Sequence, residues 1–156
     1  MTVPQIRLMR TPEADPSIAL PAYETQGSAG ADIRANLLLA DRSDGVTLPP
    51  LGRALVPTGL RAAISEGYEI QIRPRSGLAL KQGISLANTP GTIDSDYRGE
   101  IGVILINLSD RPVAIRHGDR IAQIIVAPVL QASFVQVDAL DKTARGTGGF
   151  GSTGTG

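Results

Sequence analysis

The sequence contains no cysteine and only one histidine, His117, among its 156 residues. Disulfide bonds and thiolate metal sites are therefore excluded, and a single imidazole cannot build a multi-histidine zinc site. Charge of neither sign predominates, since 15 Lys and Arg residues balance 15 Asp and Glu residues. That balance argues against a generally basic nucleic-acid-binding surface, although a local basic pocket is compatible with it.

Long hydrophobic segments are also absent. No apolar run approaches the roughly 20 residues that a membrane-spanning helix needs, and the N-terminal Met-Thr-Val-Pro-Gln lacks the apolar core of a signal peptide. We therefore expect a soluble cytoplasmic protein that does not bind membranes. Hydrophobic residues make up 42% of the chain, which suffices for a core, and the length suits one domain.

Short apolar segments separated by glycine and proline predict an all-β fold. The clearest alternation lies at 68–73, where Tyr68, Ile70 and Ile72 are expected to face the core. One short helix is predicted over 76–83, with Ser76 as its N-cap and Gly83 beyond its end. Further strands are predicted at 6–10, 84–87, 101–108, 113–115, 121–126 and 134–137, and short strands with corners at 46–60. This arrangement is typical of a β-barrel or a β-sandwich.

A polar hairpin is predicted directly before the strand at 101–108. Pro90 and Gly91 suit the central positions of a type II turn, and Asp94, Ser95 and Asp96 form a second turn-forming cluster. The hairpin also carries an aromatic ring and an arginine at 97 and 98. Such residues also occur in ordinary surface turns, so this segment alone does not define a site.

Two further segments contain groups that bind phosphate. Arg75 and Ser76 are predicted at the helix N-terminus, where free backbone N–H groups and the helix dipole favour an anion. The arginine adds a planar fork of donors that suits phosphate, although an ordinary N-cap beside a surface arginine has the same sequence. Gln123 lies in an apolar strand, where its amide needs hydrogen-bond partners, either within the protein or from a ligand.

The C-terminal segment from Arg145 onwards differs from the rest of the chain. Six of residues 146–156 are glycine, and the segment also contains Phe150 and the hydroxyl groups of Ser152 and Thr153. Glycine-rich backbone can surround a phosphate, and an aromatic ring can stack on a flat base. The alternative is a disordered tail, since the segment buries little surface on its own.

Five segments of the chain resemble, in order, the five motifs of the trimeric dUTPase family, the deoxyuridine 5′-triphosphate nucleotidohydrolases. They are 29–35 (Ala-Gly-Ala-Asp-Ile-Arg-Ala), 74–79 (Pro-Arg-Ser-Gly-Leu-Ala), 91–100 (Gly-Thr-Ile-Asp-Ser-Asp-Tyr-Arg-Gly-Glu), 118–123 (Gly-Asp-Arg-Ile-Ala-Gln) and 145–154 (Arg-Gly-Thr-Gly-Gly-Phe-Gly-Ser-Thr-Gly). Each motif alone is weak, but five in register are specific. Ile33 and Thr92 depart from the residues common in the family, at positions that do not touch the chemistry.

The resemblance implies hydrolysis of dUTP to dUMP and pyrophosphate, which keeps uracil out of DNA and supplies dUMP for thymidylate synthesis. It implies a distorted jelly-roll-like β-barrel of the β-clip type formed by residues 1–144. Residues 145–156 would form a flexible arm that closes over the active site. It also implies a homotrimer with shared active sites, Mg²⁺ as the cofactor, and no bound nucleic acid.

The resemblance also assigns roles to individual residues. Asp94 is implied as the base that activates the water attacking the α-phosphorus, and Gln123 as a second catalytic residue. Asp32 would reach the metal through water. The residues implied in substrate binding are Arg75, Ser76, Gly77, Asn88, Gly91, Thr92, Ile93, Asp94, Tyr97, Gln123, Arg145, Phe150, Gly151, Ser152 and Thr153.

These residues divide by the part of the nucleotide that they would contact. Asn88 and the backbone of 88–97 would read the uracil edge and leave no room for a 5-methyl group, while Phe150 would stack on the base. Tyr97 would pack under the deoxyribose, where a ribose 2′-hydroxyl would clash. Arg75, Ser76 and Gln123 would hold phosphates, Arg145 would pair with the terminal phosphate, and the hydroxyls at 152 and 153 would add donors.

Two alternatives to a dUTP hydrolase stay open. A dCTP deaminase, or a bifunctional dCTP deaminase and dUTPase, resembles this family in fold, but such enzymes carry a catalytic glutamate in the strand after the hairpin. Residues 101–109 contain no carboxylate. A non-catalytic binding or regulatory protein on the same scaffold is the second alternative, and the presence of Asp94, Arg145 and Phe150 argues against it.

Overall fold

The computed structural model describes residues 3–149 of the chain. Within this range it contains ten β-strands, one α-helix and one short 3-10 helix, Leu39–Asp41. The strands are β1 (Arg7–Arg10), β2 (Ala31–Arg34), β3 (Val46–Leu48), β4 (Arg53–Ala63), β5 (Tyr68–Arg73), β6 (Ile84–Leu86), β7 (Gly91–Ile93), β8 (Glu100–Asn107), β9 (Val113–Ile115) and β10 (Arg120–Pro128). The helix α1 spans Ser76–Gln82.

The strands form three antiparallel sheets with one shared core. Two sheets have four strands, in the orders β1–β4–β8–β6 and β2–β10–β5–β7, and β3 pairs with β9. A single cluster of buried aliphatic side chains draws on all three sheets, for example Ile33, Leu48, Val56, Ile70 and Leu105. The predicted all-β fold with one short helix is confirmed, but the strands within residues 3–149 do not close into one continuous barrel.

The alternation predicted for β5 is confirmed. Ile70 and Ile72 are buried, and Arg73 is exposed at the end of the strand. Strand β8 alternates in the same way, with Ile101, Val103 and Leu105 fully buried. Successive side chains of a strand point to opposite faces of the sheet. This pattern therefore determines which face of each sheet packs against the core and which face can carry a site.

Two predictions of local geometry are wrong. Ser76 is the first residue of α1 rather than its N-cap, because Arg75 holds the extended cap conformation and no side chain caps the helix. Gly91 does not take the positive φ of a type II turn, since it begins β7 and pairs with Ile72 of β5. The prediction for Gly83 is confirmed: it has φ 68° and donates its N–H to Ala79.

Two strand predictions also need correction. Residues 134–137 form no strand, and Phe134 and Val135 are 97% and 76% exposed. Alternating apolar residues form a strand only where a partner edge is available, and no strand within residues 3–149 pairs with this segment. Strand β4 runs for 11 residues instead of dividing into short strands, and its pairing with β8 shifts register between Pro57 and Arg61.

Asp15 anchors the long loop between β1 and β2. Its carboxylate accepts the N–H of Ser17 at 2.8 Å and faces Nε2 of His117 at 3.2 Å. Nδ1 of His117 accepts the N–H of Leu37 at 3.0 Å, which leaves Nε2 as the ring nitrogen that donates to Asp15. Hydrogen bonds from Ser17, then the hydrogen bond to His117 and the charge of Arg42, lower the pKa of Asp15 from 3.8 to about 2. The single histidine therefore has a structural role.

Within residues 3–149, no helix has the length and apolar character needed to cross a membrane.

Candidate functional site

The first group of predicted site residues lies on the outer face of the β2–β10–β5–β7 sheet, beside the start of α1. Antiparallel pairing sets Gln123 of β10 opposite Asp32 of β2 on one side and opposite Arg73 of β5 on the other. Pro74 then ends β5 and leads into Arg75. The sheet register therefore brings three motifs, distant in sequence, to one place.

Asp32 and Arg75 form the centre of this group. Oδ1 of Asp32 accepts a hydrogen bond from Nε of Arg75 at 2.9 Å, and Oδ2 accepts one from Nη1 of Arg120 at 3.1 Å. Nη1 of Arg75 also donates to the backbone oxygen of Arg120 at 3.2 Å. Within the described residues Nη2 of Arg75 has no hydrogen-bond acceptor, so this guanidinium keeps donors for an anionic ligand.

A basic cavity of about 470 Å³ adjoins Arg75. It is lined by Arg34, Arg75, Arg116 and Arg120, with Asp119 as the one acidic residue in its wall. This is the local basic pocket that a balanced net charge leaves possible. Arg120 and Arg34 have no role predicted from the sequence, although each occurs inside a motif. Their position opposite each other follows only from the pairing of β10 with β2.

Ser76 and Gly77 follow Arg75 and are exposed at the start of α1. The amide of Gln123 donates from Nε2 to the backbone oxygen of Pro74 at 2.9 Å. The hydrogen-bond partner that a half-buried glutamine needs is therefore present within the protein. This bond connects β10 to the turn that carries Arg75.

The second group lies on the hairpin formed by β7 and the turn after it. Gly91, Thr92 and Ile93 constitute β7, and Asp94 follows as an exposed carboxylate. The backbone oxygen of Asp94 accepts the N–H of Tyr97 at 3.2 Å, which confirms the predicted turn at 94–96. The Tyr97 hydroxyl donates to the backbone oxygen of Glu100 at 3.0 Å.

Two cavities flank Asp94. One of about 500 Å³ is mostly apolar and is lined by Leu38, Leu55, Pro57, Thr92, Ile93, Asp94, Tyr97, Glu100, Gly102 and Ile104. The other, of about 780 Å³, is polar and includes Glu66, Glu69, Asp94, Asp96 and Arg98. Asn88 is exposed beside the hairpin, and its amide would meet any side chain placed on Gly91. The hairpin thus combines an apolar wall, a ring, an amide and a carboxylate.

The two groups lie at opposite ends of β5. Strand β7 runs antiparallel to β5 with Ile93 opposite Ile70, so Asp94 emerges near Glu69, whereas Arg75 follows the other end of the strand. At about 3.3 Å per residue, the path from residue 69 to residue 75 spans close to 20 Å. One chain therefore does not bring Asp94 and Arg75 together.

The predicted arm is only partly described. Arg145 is exposed and donates from Nε to the backbone oxygen of Gly148 at 2.9 Å, so it contacts its own segment rather than either group. Phe150, Gly151, Ser152 and Thr153 lie outside the described residues. No group of three or more His, Cys, Asp or Glu side chains suited to a metal ion occurs in the described part of the chain.

These features define an all-β protein whose predicted site residues form two groups, a basic face and a carboxylate-bearing hairpin. Comparison with known proteins agrees: residues 17–154 match the dUTPase family model. The chain is 63% identical over 155 residues to the Roseobacter denitrificans deoxyuridine 5′-triphosphate nucleotidohydrolase, covering 99% of each chain. It is 62% identical over 151 residues to the Dinoroseobacter shibae protein of the same name, covering 97% of each. The chain belongs to the dUTPase family.

Solved structures agree on the fold. The dUTPase of Staphylococcus bacteriophage 80alpha with dUpNHpp has a TM-score of 0.81 at 23% identity, over 97% of this chain and 99% of that one. A mutant dUTPase of phage phi11, whose structure concerns the coordination of a structural Mg(II) ion, has a TM-score of 0.72 at 22% identity, over 90% of this chain and 100% of that one. The predicted jelly-roll-like β fold is thereby confirmed.

Proposed function

We propose that this protein hydrolyses dUTP to dUMP and pyrophosphate. The observation that carries the proposal is the identity above 60%, over nearly the whole chain, with two proteins named deoxyuridine 5′-triphosphate nucleotidohydrolase. The geometry supports it, because a guanidinium with free donors suits a triphosphate and an exposed carboxylate suits water activation. In a cell this reaction would keep uracil out of DNA and supply dUMP for thymidylate synthesis, in the cytoplasm that the sequence predicts.

In the proposed reaction Asp94 takes a proton from the water that attacks the α-phosphorus. Carboxylates are ionised at neutral pH, and the exposure of Asp94 between two cavities leaves room for both water and substrate. Tyr97 supports the deoxyribose with its ring, which the bond to the Glu100 backbone oxygen holds in place. Asn88 and the backbone of Gly91, Thr92 and Ile93 bind the uracil edge.

The basic face holds the phosphates in this proposal. Arg75 contributes the Nη2 donors that no described residue uses, and Ser76 and Gly77 add exposed groups next to it. Gln123 carries out its catalytic role by contact with the bridging oxygen, in addition to its bond to Pro74. Arg145 pairs with the terminal phosphate once the arm closes.

Magnesium fits this site as an ion that arrives with the triphosphate. The described residues form no metal-binding cluster, and both oxygens of Asp32 already accept hydrogen bonds from arginines. A single carboxylate that contacts the ion through water agrees with the way Mg²⁺ keeps its waters and binds phosphate oxygens. When bound, the ion would neutralise negative charge on the phosphates during attack. Asp32 would hold that hydrated ion and orient Arg75.

We further propose that the enzyme is a homotrimer with active sites shared between subunits. The placement of Asp94 and Arg75 near opposite ends of β5, with an extended path of about 20 Å from residue 69 to residue 75, supports this, because a water beside Asp94 then lies far from a phosphate held by Arg75 of the same chain. The segment 129–140 supports it as well, with Leu130, Phe134 and Leu140 at least 84% exposed. Apolar side chains in such a run favour burial against another copy of the chain. A monomeric mass by light scattering at micromolar concentration would contradict the proposal.

Residues 1–144 are proposed to form the folded domain and 145–156 an arm that closes over bound nucleotide. Six glycines among residues 146–156 make ordering costly without a ligand, whereas contact with phosphate and stacking by Phe150 stabilise closure when the ligand is present. Truncation after Ala144 should leave the fold and trimer intact and reduce turnover at least 100-fold, roughly the effect of losing several phosphate and base contacts. Phe150→Ala should give a smaller loss of the same kind.

The reaction is tested by incubating the protein with dUTP, dCTP, dTTP or UTP and Mg²⁺, and identifying the products. We expect dUMP and pyrophosphate from dUTP, with little reaction of the other three. Ammonia release from dCTP would instead identify the deaminase. If none of the four nucleotides yields a product, the proposed function is rejected and the alternative of a non-catalytic binding protein is favoured.

A further inference from the structure

Gly30, in the segment that enters β2, lies directly against the side chain of Gln123. A side-chain carbon on residue 30 would overlap Oε1 of Gln123 and would lie 3.1 Å from Cδ1 of Ile125. The backbone does not require glycine here, since Gly30 is absent from the residues with positive φ. The contact with Gln123 is therefore the reason for glycine at position 30, because only a residue without Cβ leaves space for the Gln123 carboxamide.

The other end of the same carboxamide is also fixed. Nε2 of Gln123 donates to the backbone oxygen of Pro74 at 2.9 Å, immediately before Arg75. With Oε1 against Gly30 and Nε2 bound to Pro74, the amide spans from the β2 entrance to the turn that carries Arg75. A shift at Gly30 is thus transmitted to the residue proposed to bind phosphate.

Gly30 differs from Gly45 and Gly83 in what an added methyl group would displace. At Gly45 and Gly83 the added carbon would meet backbone atoms of Ile115 and Ser109, and both glycines have positive φ. At Gly30 it would meet the end of a flexible glutamine side chain. Rotation of that side chain relieves the overlap, so the fold should tolerate alanine at Gly30 while the amide moves.

We propose that Gly30 is a positioning residue: its missing side chain holds the Gln123 carboxamide in the orientation that fixes the Pro74–Arg75 turn. The structural part of the inference stands on the contacts alone, and its kinetic part rests on the proposed hydrolysis of dUTP.

Gly30→Ala tests the inference, with Gly27→Ala as the matched control. Gly27 lies three residues earlier, and nothing within 4 Å would meet a side chain there. Crystal structures of both variants should differ at one place: the Gln123 Nε2 to Pro74 O distance should exceed about 3.5 Å in Gly30→Ala and stay at 2.9 Å in Gly27→Ala. An unchanged distance in Gly30→Ala would overturn the inference, whether or not the protein hydrolyses dUTP.

The kinetic arm is a double-mutant cycle. Gly30→Ala alone should lower kcat/KM for dUTP on the order of ten-fold, but should have less than about a two-fold effect in a Gln123→Ala background. Equal effects in both backgrounds would show that Gly30 acts independently of Gln123 and would overturn the inference. If Gly30→Ala does not fold, the double variant decides: recovery of folding supports the overlap with Gln123, and continued failure rejects it. Absence of activity in the unaltered protein would reject the proposed function and leave the crystallographic arm valid.

Discussion

Asp32 and Arg75 face each other at 2.9 Å between Oδ1 and Nε, with side chains that are 15% and 26% exposed. The second oxygen of the same carboxylate holds Arg120 at 3.1 Å. One acidic side chain thus orients two guanidinium groups on the basic face. Asp32 therefore has two proposed roles, which are to contact the hydrated metal ion and to position Arg75. The positioning role is supported by the hydrogen bonds that Asp32 accepts from Arg75 and Arg120.

Asp32→Asn should weaken phosphate binding by the basic face without unfolding the protein. The amide keeps the size of the side chain but removes the charge and one of the two acceptors, so Arg75 and Arg120 can no longer both donate to it. We expect kcat/KM for dUTP to fall at least about ten-fold. Glu24→Gln is the control, because Glu24 also reaches Arg120, at 3.4 Å, but is 58% exposed and should contribute little. Equal losses in the two variants would contradict the role given to Asp32.

Asp94→Asn should abolish water activation while keeping the shape of the hairpin. Without a base we expect turnover to fall on the order of 100-fold or more, with nucleotide binding largely unchanged. Single-turnover kinetics and calorimetric binding of a non-hydrolysable dUTP analogue measure the two effects separately. Asp96→Asn, two residues further along the same exposed turn, is the control and should retain most of the turnover. Near-normal turnover in Asp94→Asn would remove Asp94 from the role of base.

Acid should remove the stabilisation that Asp15 provides. The folded-state pKa is about 2 against an ordinary value of 3.8, so folding favours the charged carboxylate. Its contribution is therefore complete above pH 3.8 and is lost as the pH falls from 3.8 towards 2. Asp15→Asn should be less stable than the unaltered protein at pH 6, and the difference should shrink below pH 3.8. Urea unfolding at several pH values measures this difference, and one that stays constant down to pH 2.5 would exclude Asp15 as its source.

Much of the fold follows from local patterns in the sequence. Alternation of apolar residues predicted β5, and β-branched runs predicted β8, β9 and β10 within about two residues, the usual uncertainty of such boundaries. The segment 134–137 has the same pattern but forms no strand, because a strand also needs an edge to pair with, and local sequence does not contain that information. Gly91 was misassigned for a related reason: pairing with Ile72 overrides its turn preference.

The candidate site was predicted as a set of residues but not as an arrangement. Motif order identifies Asp32, Arg75, Asp94 and Gln123, whereas strand register decides that three of them meet and that Asp94 lies at the far end of β5. Arg120 was missed because an arginine beside a predicted strand has no distinguishing pattern. Its significance appears only from the hydrogen bond that its Nη1 donates to Oδ2 of Asp32.

The separation of Asp94 from Arg75 leads to a test by subunit complementation. An Asp94→Asn chain and an Arg75→Ala chain, carrying different affinity tags, are coexpressed, and complexes that contain both tags are isolated. If each site takes Asp94 from one subunit and Arg75 from another, every mixed trimer contains one site with both residues intact. The mixed trimers should then show about one third of the normal turnover per trimer, although each parent is inactive.

Two controls complete this experiment. Doubly tagged trimers with Asp94→Asn in every chain should stay inactive, which excludes activity from contaminating enzyme. Trimers with two unaltered chains and one chain carrying both substitutions keep at least one intact site whether the site is shared or lies within one chain, so their activity shows that mixed assembly permits turnover. Mixed single-substitution trimers with no activity above their parents would mean that Asp94 and Arg75 act within one chain. Such a result would require the hairpin to move towards the basic face on binding nucleotide, since the β5–β7 register places Asp94 and Arg75 near opposite ends of β5.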